Sequence, residues 1–176
     1  MNIYVYNSKN IEDYKIIIRE LYNDFGINFC HTILTYCDFI EDPDKDKNML
    51  WNIHILKTYK ETINPLEDES IGICGLYSLD SKTENLWLGW FGILPNFRNL
   101  NLGTRALLFL KIQAKSLNCK NLYCYVDKSN ESALRFYKRN NFHIISSVKE
   151  FTKNNNISMD YFENPEDLVI KLNLNS

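Results

Sequence analysis

Residues Gly92–Ile112 of the chain read GILPNFRNLNLGTRALLFLKI. It begins as the end of an apolar strand and finishes as an amphipathic helix, and the residues between the two are polar. The pattern predicts a helix from Thr104 to about Leu117, and Asn118 after it tolerates the left-handed backbone that commonly ends a helix. The sequence therefore predicts a polar loop at a strand-to-helix junction.

This loop has the composition of an anion-binding site. The first N–H groups of a helix have no intrahelical acceptor, and the helix dipole adds partial positive charge at that end. Arg98 supplies a guanidinium suited to phosphate oxygens, and Gly103 lets the backbone approach a ligand closely. The Walker and G-x-G-x-x-G phosphate patterns are both absent. For the loop alone, a plain connection with an exposed arginine is an equally good interpretation.

The composition is that of an ordinary globular protein. The chain has 176 residues, of which 45% are hydrophobic and 24% charged, enough for one sizeable core. Neither a repeat nor a long linker divides it, so residues 1–176 are predicted to form a single domain. A formal net charge of -2 without a basic stripe argues against nucleic acid as a partner.

The sequence also lacks the patterns of membrane and secreted proteins. No run of about 18 apolar residues is present, so no membrane partner is expected. The N-terminal residues do not resemble a signal peptide, so a cytoplasmic location is expected. The odd number of cysteines and the scattered histidines predict buried free thiols and no metal site. The five cysteines are Cys30, Cys37, Cys74, Cys119 and Cys124.

Hydrophobic periodicity predicts helices interleaved with strands. This order is typical of an α/β (α+β) sheet, mostly antiparallel, with helices on both faces. Gly89 and Gly92 inside a predicted strand suggest a bulge or a close backbone approach. The predicted strands are 2–7, 51–59, 70–79, 86–94, 121–126, 142–151 and 167–174. The predicted helices are 11–24, 28–40, 104–117 and a short one within 129–141, with polar loops at 41–48 and 152–158.

Two motifs resemble those of the GCN5-related N-acetyltransferase (GNAT) family. The family's acetyl-CoA loop, Gln/Arg-x-x-Gly-x-Gly/Ala after a strand ending in Val-x-Pro, is matched by Ile93, Pro95, Arg98, Asn101 and Gly103. Its second signature, Asn-x-x-Ala-x-x-x-Tyr followed by Gly-Phe, is matched by Asn130, Ala133, Tyr137 and Phe142. Asn101 and Asn141 replace two family glycines, and asparagine is the next-best residue at positive φ. The resemblance implies a GNAT-like central mixed sheet.

The resemblance further implies acetyl-CoA as the co-substrate. Main-chain N–H groups of about 100–104 would hold its diphosphate, and its pantetheine would lie along the edges of strands 86–94 and 121–126. The implied binding residues are Ile93, Leu94, Arg98, Asn99, Leu100, Asn101, Leu102, Gly103, Thr104, Asn130, Ala133 and Tyr137.

Two catalytic roles follow from the same resemblance. Tyr137 stands where relatives carry a tyrosine that protonates the leaving thiolate; a phenol of pKa ~10 can donate to a thiolate whose conjugate acid has a pKa near ~8.5. Glu84, just before the strand where relatives place a glutamate, is the candidate base for the attacking amine. The alternatives are a half-buried aromatic residue for Tyr137 and an exposed turn carboxylate for Glu84.

The implied function is acetyl transfer from acetyl-CoA to a primary amine of a small molecule or peptide. A protein or N-terminal peptide acetyltransferase and a non-catalytic acyl-CoA-binding sensor are the alternatives. A homodimer is a further expectation, since dimers are common for such folds. No motif in the sequence identifies the acceptor amine.

Overall fold

A computed structural model describes residues 2–6, 13–17, 19–21, 51–59, 69–79 and 82–175. The predicted helix 28–40 and the predicted loop 41–48 lie outside these residues. None of the helices in the described ranges combines the length and the apolar character that crossing a membrane requires.

Seven strands form one mixed sheet in the order β1-β2-β3-β4-β5-β7-β6. Neighbouring strands are antiparallel except β4 and β5, which are parallel, so the predicted mostly antiparallel sheet is confirmed. The strands are β1 (Asn2–Tyr6), β2 (Trp51–Tyr59), β3 (Ser70–Tyr77), β4 (Asn85–Ile93), β5 (Asn121–Val126), β6 (His143–Ser147) and β7 (Leu168–Asn173).

Helices cover both faces of the sheet, as predicted. Two short 3-10 turns, Pro95–Phe97 and Met159–Tyr161, lie in the connections. The helices are α1 (helical at 13–17 and 19–21), α2 (Leu102–Ser116), α3 (Glu131–Arg139) and α4 (Val148–Asn155).

The core consists of two clusters, one on each face of the sheet. On one face, β-strand side chains pack against α2 and α3. On the other face they pack against α1, through Tyr14, Ile17 and Leu21, and against α4, through Phe151. Helix α2 ends at Ser116, one residue before the predicted end, and Leu117 after it is 39% exposed.

The prediction of a single strand over 142–151 is wrong. Strand β6 stops at Ser147, and α4 begins at the next residue. The Glu150 N–H donates to Ser147 Oγ at 3.3 Å, and the Ser147 N–H donates to a Glu150 carboxylate oxygen at 3.4 Å. This reciprocal capping box starts a helix inside the predicted strand. The helix also takes up half of the predicted loop 152–158.

Asparagines occupy left-handed backbone positions, as the sequence predicted. Asn118 (φ 60°) follows α2, and Asn141 (φ 69°) stands where the family has glycine. Asn101 (φ 59°) directly precedes α2, which begins at Leu102, two residues before the predicted start. Asparagine tolerates this conformation better than other side-chain-bearing residues, so these turns form without glycine.

Candidate functional site

Strands β4 and β5 are paired at one end only. The parallel register joins Asn85 to Asn121, Leu86 to Leu122 and Trp87 to Tyr123, and no further pair forms along these two fully described strands. Beyond Trp87 the strands separate and leave main-chain groups on their facing edges without ladder partners. Ligands in such sheets bind at the carboxyl ends of strands, where neighbours part.

A bulge in β4 lies directly beside this gap. Across the pair with β3, Ile73 faces Gly92 and Gly75 faces Gly89, so two residues of β4 oppose one of β3. One of them, Trp90, has a φ of 51°, which is unusual for a bulky side chain. The bulge predicted from Gly89 and Gly92 is therefore confirmed, although the strained backbone position is that of Trp90. Because a bulge bends its strand, the bulge in β4 helps that strand to diverge from β5.

The loop after β4 is tied back to the end of that strand. The Arg98 Nε donates to the Ile93 carbonyl at 2.9 Å, and the Phe97 N–H donates to the Leu94 carbonyl at 2.9 Å. The Leu94 N–H in turn donates to the Ile71 carbonyl of β3 at 2.8 Å. These bonds hold the loop against the sheet at the open end of the gap.

Six consecutive main-chain N–H groups of this loop, those of residues 99–104, have no acceptor in the described part of the chain. Asn99 (φ 62°) and Asn101 (φ 59°) both adopt the left-handed conformation, and the Asn101 side chain does not cap the helix. Alternating backbone conformations of this kind turn successive N–H groups toward one point and form an anion-binding concavity. The dipole of α2 adds to the attraction for an anion.

The start of α2 lies against α3. A Cβ added to Gly103 would be 3.3 Å from the Phe136 ring and 3.9 Å from an Ile93 side-chain carbon. Phe136 in turn stacks on Phe91 of β4, with 5.7 Å between the ring centroids. The structure thus brings together the loop, the end of β4 and α3, which the two sequence motifs had linked only by resemblance.

Asn130 is the N-cap of α3. Its side-chain oxygen accepts a hydrogen bond from the Ala133 N–H at 3.0 Å. Among the described residues, no acceptor contacts the side-chain NH₂ of Asn130, which leaves two donors for a ligand. Glu131 lies in the first turn, where its charge suits the helix dipole.

Tyr137 lies where β4 and β5 begin to separate. Its side chain is 6% exposed, and its hydroxyl is 3.5 Å from the Sγ atom of Cys124, the first residue of β5 after the paired segment. Burial raises the pKa of the Tyr137 phenol well above its usual range, and burial raises the pKa of the Cys124 thiol to about 12. Both groups are therefore neutral near pH 7.

Glu84 is not brought to this gap. It precedes the paired end of β4, and its carbonyl accepts hydrogen bonds from the main-chain N–H groups of Lys120 at 2.8 Å and Asn121 at 3.2 Å. Its carboxylate forms an ion pair with Lys120 on the surface, where the Glu84 side chain is 51% exposed. The loop residues, Asn130 and Tyr137 lie around the opposite end of the β4–β5 pair.

The predictions from sequence missed the contact between Cys124 and Tyr137. The prediction of a buried free thiol is confirmed for Cys124. Its contact with Tyr137 depends on how α3 packs on β5, and no sequence pattern signals that contact. In the ranges that the structure describes, no group of three or more His, Cys, Asp and Glu side chains could hold a metal ion.

Comparisons with known proteins agree with this geometry. The model of the acetyltransferase (GNAT) family matches residues 19–142. N-alpha-acetyltransferase 50 of Danio rerio is 33% identical over 88 residues, 49% of this chain and 52% of that protein. The chain thus matches about half the length of this curated relative.

Solved structures share the fold over nearly the whole chain. A GNAT family acetyltransferase from Elizabethkingia anophelis, crystallised with acetyl-CoA bound, has a TM-score of 0.63 at 18% identity, with 98% of this chain and 97% of that chain covered. The ribosomal-protein-S18-alanine N-acetyltransferase of Escherichia coli has a TM-score of 0.63 at 14% identity, with 98% and 93% covered. Because the family model matches well over half of the 176 residues, the chain belongs to the GNAT acetyltransferase family.

Proposed function

We propose that this protein transfers the acetyl group of acetyl-CoA to a primary amine. The observation that carries the proposal is the gap between β4 and β5, with the unpaired N–H groups of residues 99–104 at its mouth and the buried Tyr137 hydroxyl at its inner end. Family membership and the acetyl-CoA bound to the Elizabethkingia anophelis relative support the same conclusion.

In this proposal the diphosphate of acetyl-CoA binds to the N–H groups of residues 99–104. Arg98 contributes positive charge and, through its bond to the Ile93 carbonyl, keeps the loop in place. The pantetheine amides pair with main-chain groups on the facing edges of β4 and β5 and with the Asn130 NH₂ group. The thioester then lies near Tyr137.

The reaction proceeds by direct transfer. The neutral amine nitrogen attacks the thioester carbon, and the C–S bond of the resulting tetrahedral intermediate breaks. The departing sulfur takes the proton of the Tyr137 hydroxyl, and CoA leaves as a thiol. The amine releases its surplus proton to water, and a proton from water restores the phenol. Because Cys124 is buried and protonated, it is a poor nucleophile, and no acetyl-cysteine intermediate is invoked.

Water takes the amine proton in this scheme because Glu84, the base predicted from sequence, is paired with Lys120 outside the gap. A general base gains its effect only within hydrogen-bond reach of the proton, directly or through one water. The Glu84→Gln substitution described in the Discussion tests this assignment.

The acceptor is a primary amine of a small molecule or of a peptide. The 33% identity with N-alpha-acetyltransferase 50 supports a peptide N-terminal amine as the second candidate acceptor. Short peptides with free N-termini therefore belong in the first acceptor panel, beside polyamines and amino sugars.

Binding is tested first, by thermal unfolding with acetyl-CoA. A ligand at about 100 times its Kd adds about 2.7 kcal/mol to the free energy of unfolding, so the melting temperature should rise. Acetyl-pantetheine, which lacks the diphosphate, is the matched control and should give a much smaller rise at equal concentration. Equal shifts with both compounds would contradict the role of the loop, and no shift with either would contradict the proposed site.

Catalysis is tested by CoA thiol release across the amine panel. Release that depends on one amine, with the acetylated amine identified by mass spectrometry, is the expected result. Binding of acetyl-CoA without amine-dependent release would identify a non-catalytic acyl-CoA sensor instead.

A further inference from the structure

The Cys124 thiol is the polar neighbour of the Tyr137 hydroxyl inside the gap. The Sγ atom lies 3.5 Å from the phenol oxygen, and the two side chains are 7% and 6% exposed. Within the described part of the chain, this thiol is the one hydrogen-bond partner of that hydroxyl. The direction in which the Tyr137 O–H bond points therefore depends on its hydrogen bond with Cys124.

The ring of Tyr137 is itself fixed by aromatic contacts. Its centroid is 5.2 Å from that of Phe136, 5.3 Å from that of Phe142 and 6.4 Å from that of Phe91. Side chains packed in this way stay in one rotamer on the time average. The remaining freedom is rotation of the O–H bond, and hydrogen bonding selects between its orientations.

The hydrogen atoms of the Cys124 thiol and the Tyr137 hydroxyl allow two hydrogen-bonding arrangements. A phenol and a thiol each carry one hydrogen. The Cys124 thiol has two acceptors within reach, the Tyr137 oxygen at 3.5 Å and the Tyr125 carbonyl at 3.3 Å. When the thiol donates to Tyr125, its sulfur accepts the phenol hydrogen. When the thiol donates to Tyr137, the phenol hydrogen is released from the sulfur and is available to another acceptor.

We infer that Cys124 is a positioning residue: its thiol donates to the Tyr137 oxygen and thereby turns the phenol proton toward the departing CoA sulfur. The inference rests on the proposed acetyl transfer. The thiol forms no bond to the acetyl group and gives up no proton, so the balance of the reaction is unchanged.

The environment of Cys124 supports a neutral hydrogen-bonding role. Burial raises the pKa of the thiol to about 12, although the contact with Tyr137 acts in the opposite direction. Burial likewise raises the pKa values of Tyr77 and Tyr125, whose hydroxyls are near enough to interact electrostatically with Cys124. A group that remains a thiol throughout the cycle can donate a hydrogen bond at every step.

The test compares Cys124→Ala with Cys124→Ser, using acetyl-CoA and the best amine of the panel. Loss of one neutral hydrogen bond should lower kcat about three- to tenfold. The KM for acetyl-CoA should stay within about twofold, because Cys124 is proposed to act on the departing sulfur through Tyr137 rather than on binding. Serine keeps one donor and one acceptor, so Cys124→Ser should restore kcat to within about twofold of the wild type.

Cys119→Ala is the matched control, because Cys119 is another buried thiol of the same cluster and donates to the Asn121 carbonyl at 3.1 Å. It should leave kcat unchanged. An equal fall of kcat in Cys119→Ala and Cys124→Ala would indicate a packing effect and overturn the inference.

A double variant separates positioning from structure. If Cys124 acts through the phenol, Cys124→Ala should not lower kcat further when Tyr137 is already phenylalanine. A similar loss in both backgrounds, or no loss in the single variant, overturns the inference while leaving acetyl transfer intact. Should Cys124→Ala fail to fold, the inference is decided by Cys124→Ser, which must then retain near wild-type kcat. A wild type that releases CoA with no amine would instead refute the proposed function itself.

Discussion

At their paired end, β4 and β5 are held together by exposed polar groups, whereas at their open end buried, neutral groups flank the gap. Glu84 pairs with Lys120 at the first end, where the Asn121 side-chain NH₂ also donates to Asn85 Oδ1 at 2.9 Å. At the second end, Cys124 and Tyr137 are almost fully buried. One strand pair therefore has a solvent-exposed polar contact at its paired end and two buried, uncharged side chains beside its open end.

Beyond Trp87 of β4 and Tyr123 of β5 the two strands no longer pair with each other, and each stays paired with its other neighbour. Strand β4 bends at the bulge opposite β3, and β5 continues straight along β7 in antiparallel register to Val126. Each strand keeps one hydrogen-bonded edge and loses the other. Unpaired main-chain N–H and C=O groups along these edges would destabilise the fold unless water or a ligand forms hydrogen bonds with them.

The largest expected effect comes from Tyr137→Phe, which removes the proton donor of the open end. We expect kcat to fall at least about 100-fold, the lower range for a general acid, while the Kd for acetyl-CoA changes less than about twofold. Steady-state kinetics and isothermal titration measure the two quantities. Equal losses in turnover and in affinity would show that the residue serves packing and not proton transfer.

A substitution of Gly72 on β3 should distort the open end of the β4–β5 pair, because Gly72 lies opposite Ile93 at the end of β4. A Cβ on Gly72 would overlap the Gly92 carbonyl oxygen and lie 3.1 Å from the Ile93 Cα, and both are backbone atoms. Gly72→Ala should therefore lower the free energy of unfolding by about 2–3 kcal/mol, as measured in urea, and weaken acetyl-CoA binding.

Gly89→Ala is the control for that substitution, because among the described residues its added Cβ meets a side chain, the Tyr77 ring at 2.9 Å, and no backbone atom. A side chain yields more readily than a backbone, so the loss of stability should be smaller. If both variants were equally stable, the close approach of β3 and β4 would not control the shape of the gap.

Alkaline pH should lower the free energy of unfolding, in part through Cys124 at the open end. Burial raises the pKa of the Cys124 thiol from 9.0 to about 12, so above pH 9 the unfolded chain loses a proton that the folded protein keeps. Stability is therefore complete below pH 9 and falls as the pH rises, by about 1.4 kcal/mol per pH unit for one such group.

Urea unfolding between pH 8 and pH 11 measures this slope. Cys124→Ser should reduce the slope, whereas Glu84→Gln should leave it unchanged. The slope should not vanish, because burial also raises the pKa values of Tyr137 and Cys74. An unchanged slope in Cys124→Ser would mean that the thiol is more accessible to solvent than its 7% exposure indicates.

The smallest effect is expected at the paired end. Glu84→Gln breaks an exposed ion pair with Lys120, and such pairs contribute less than about 1 kcal/mol. We expect the free energy of unfolding to change by less than that amount and kcat to stay within about twofold. A large fall in kcat, with the pH dependence of kcat losing its acidic limb, would instead identify Glu84 as the base that the sequence suggested.

Local features of the site were predictable from the sequence because they depend on neighbouring residues. The left-handed conformations of Asn101, Asn118 and Asn141 follow from the tolerance of asparagine for positive φ, and the cap at Asn130 follows from its side-chain oxygen. The same kind of local signal is present in Ser147-Val-Lys-Glu150, whose capping box begins α4 inside the predicted strand 142–151.

Apart from α4, the order of helices and strands in the described ranges could be read from the sequence, as could the family signatures and the polar loop after Ile93, since each depends on residues close together in the chain. Only the tertiary structure decided that β4 and β5 part after Trp87, that Glu84 pairs with Lys120, and that Cys124 meets Tyr137. These contacts join residues on different elements, and their geometry depends on how the bulge in β4 and the packing of α3 orient those elements. No spacing within the sequence encodes that orientation.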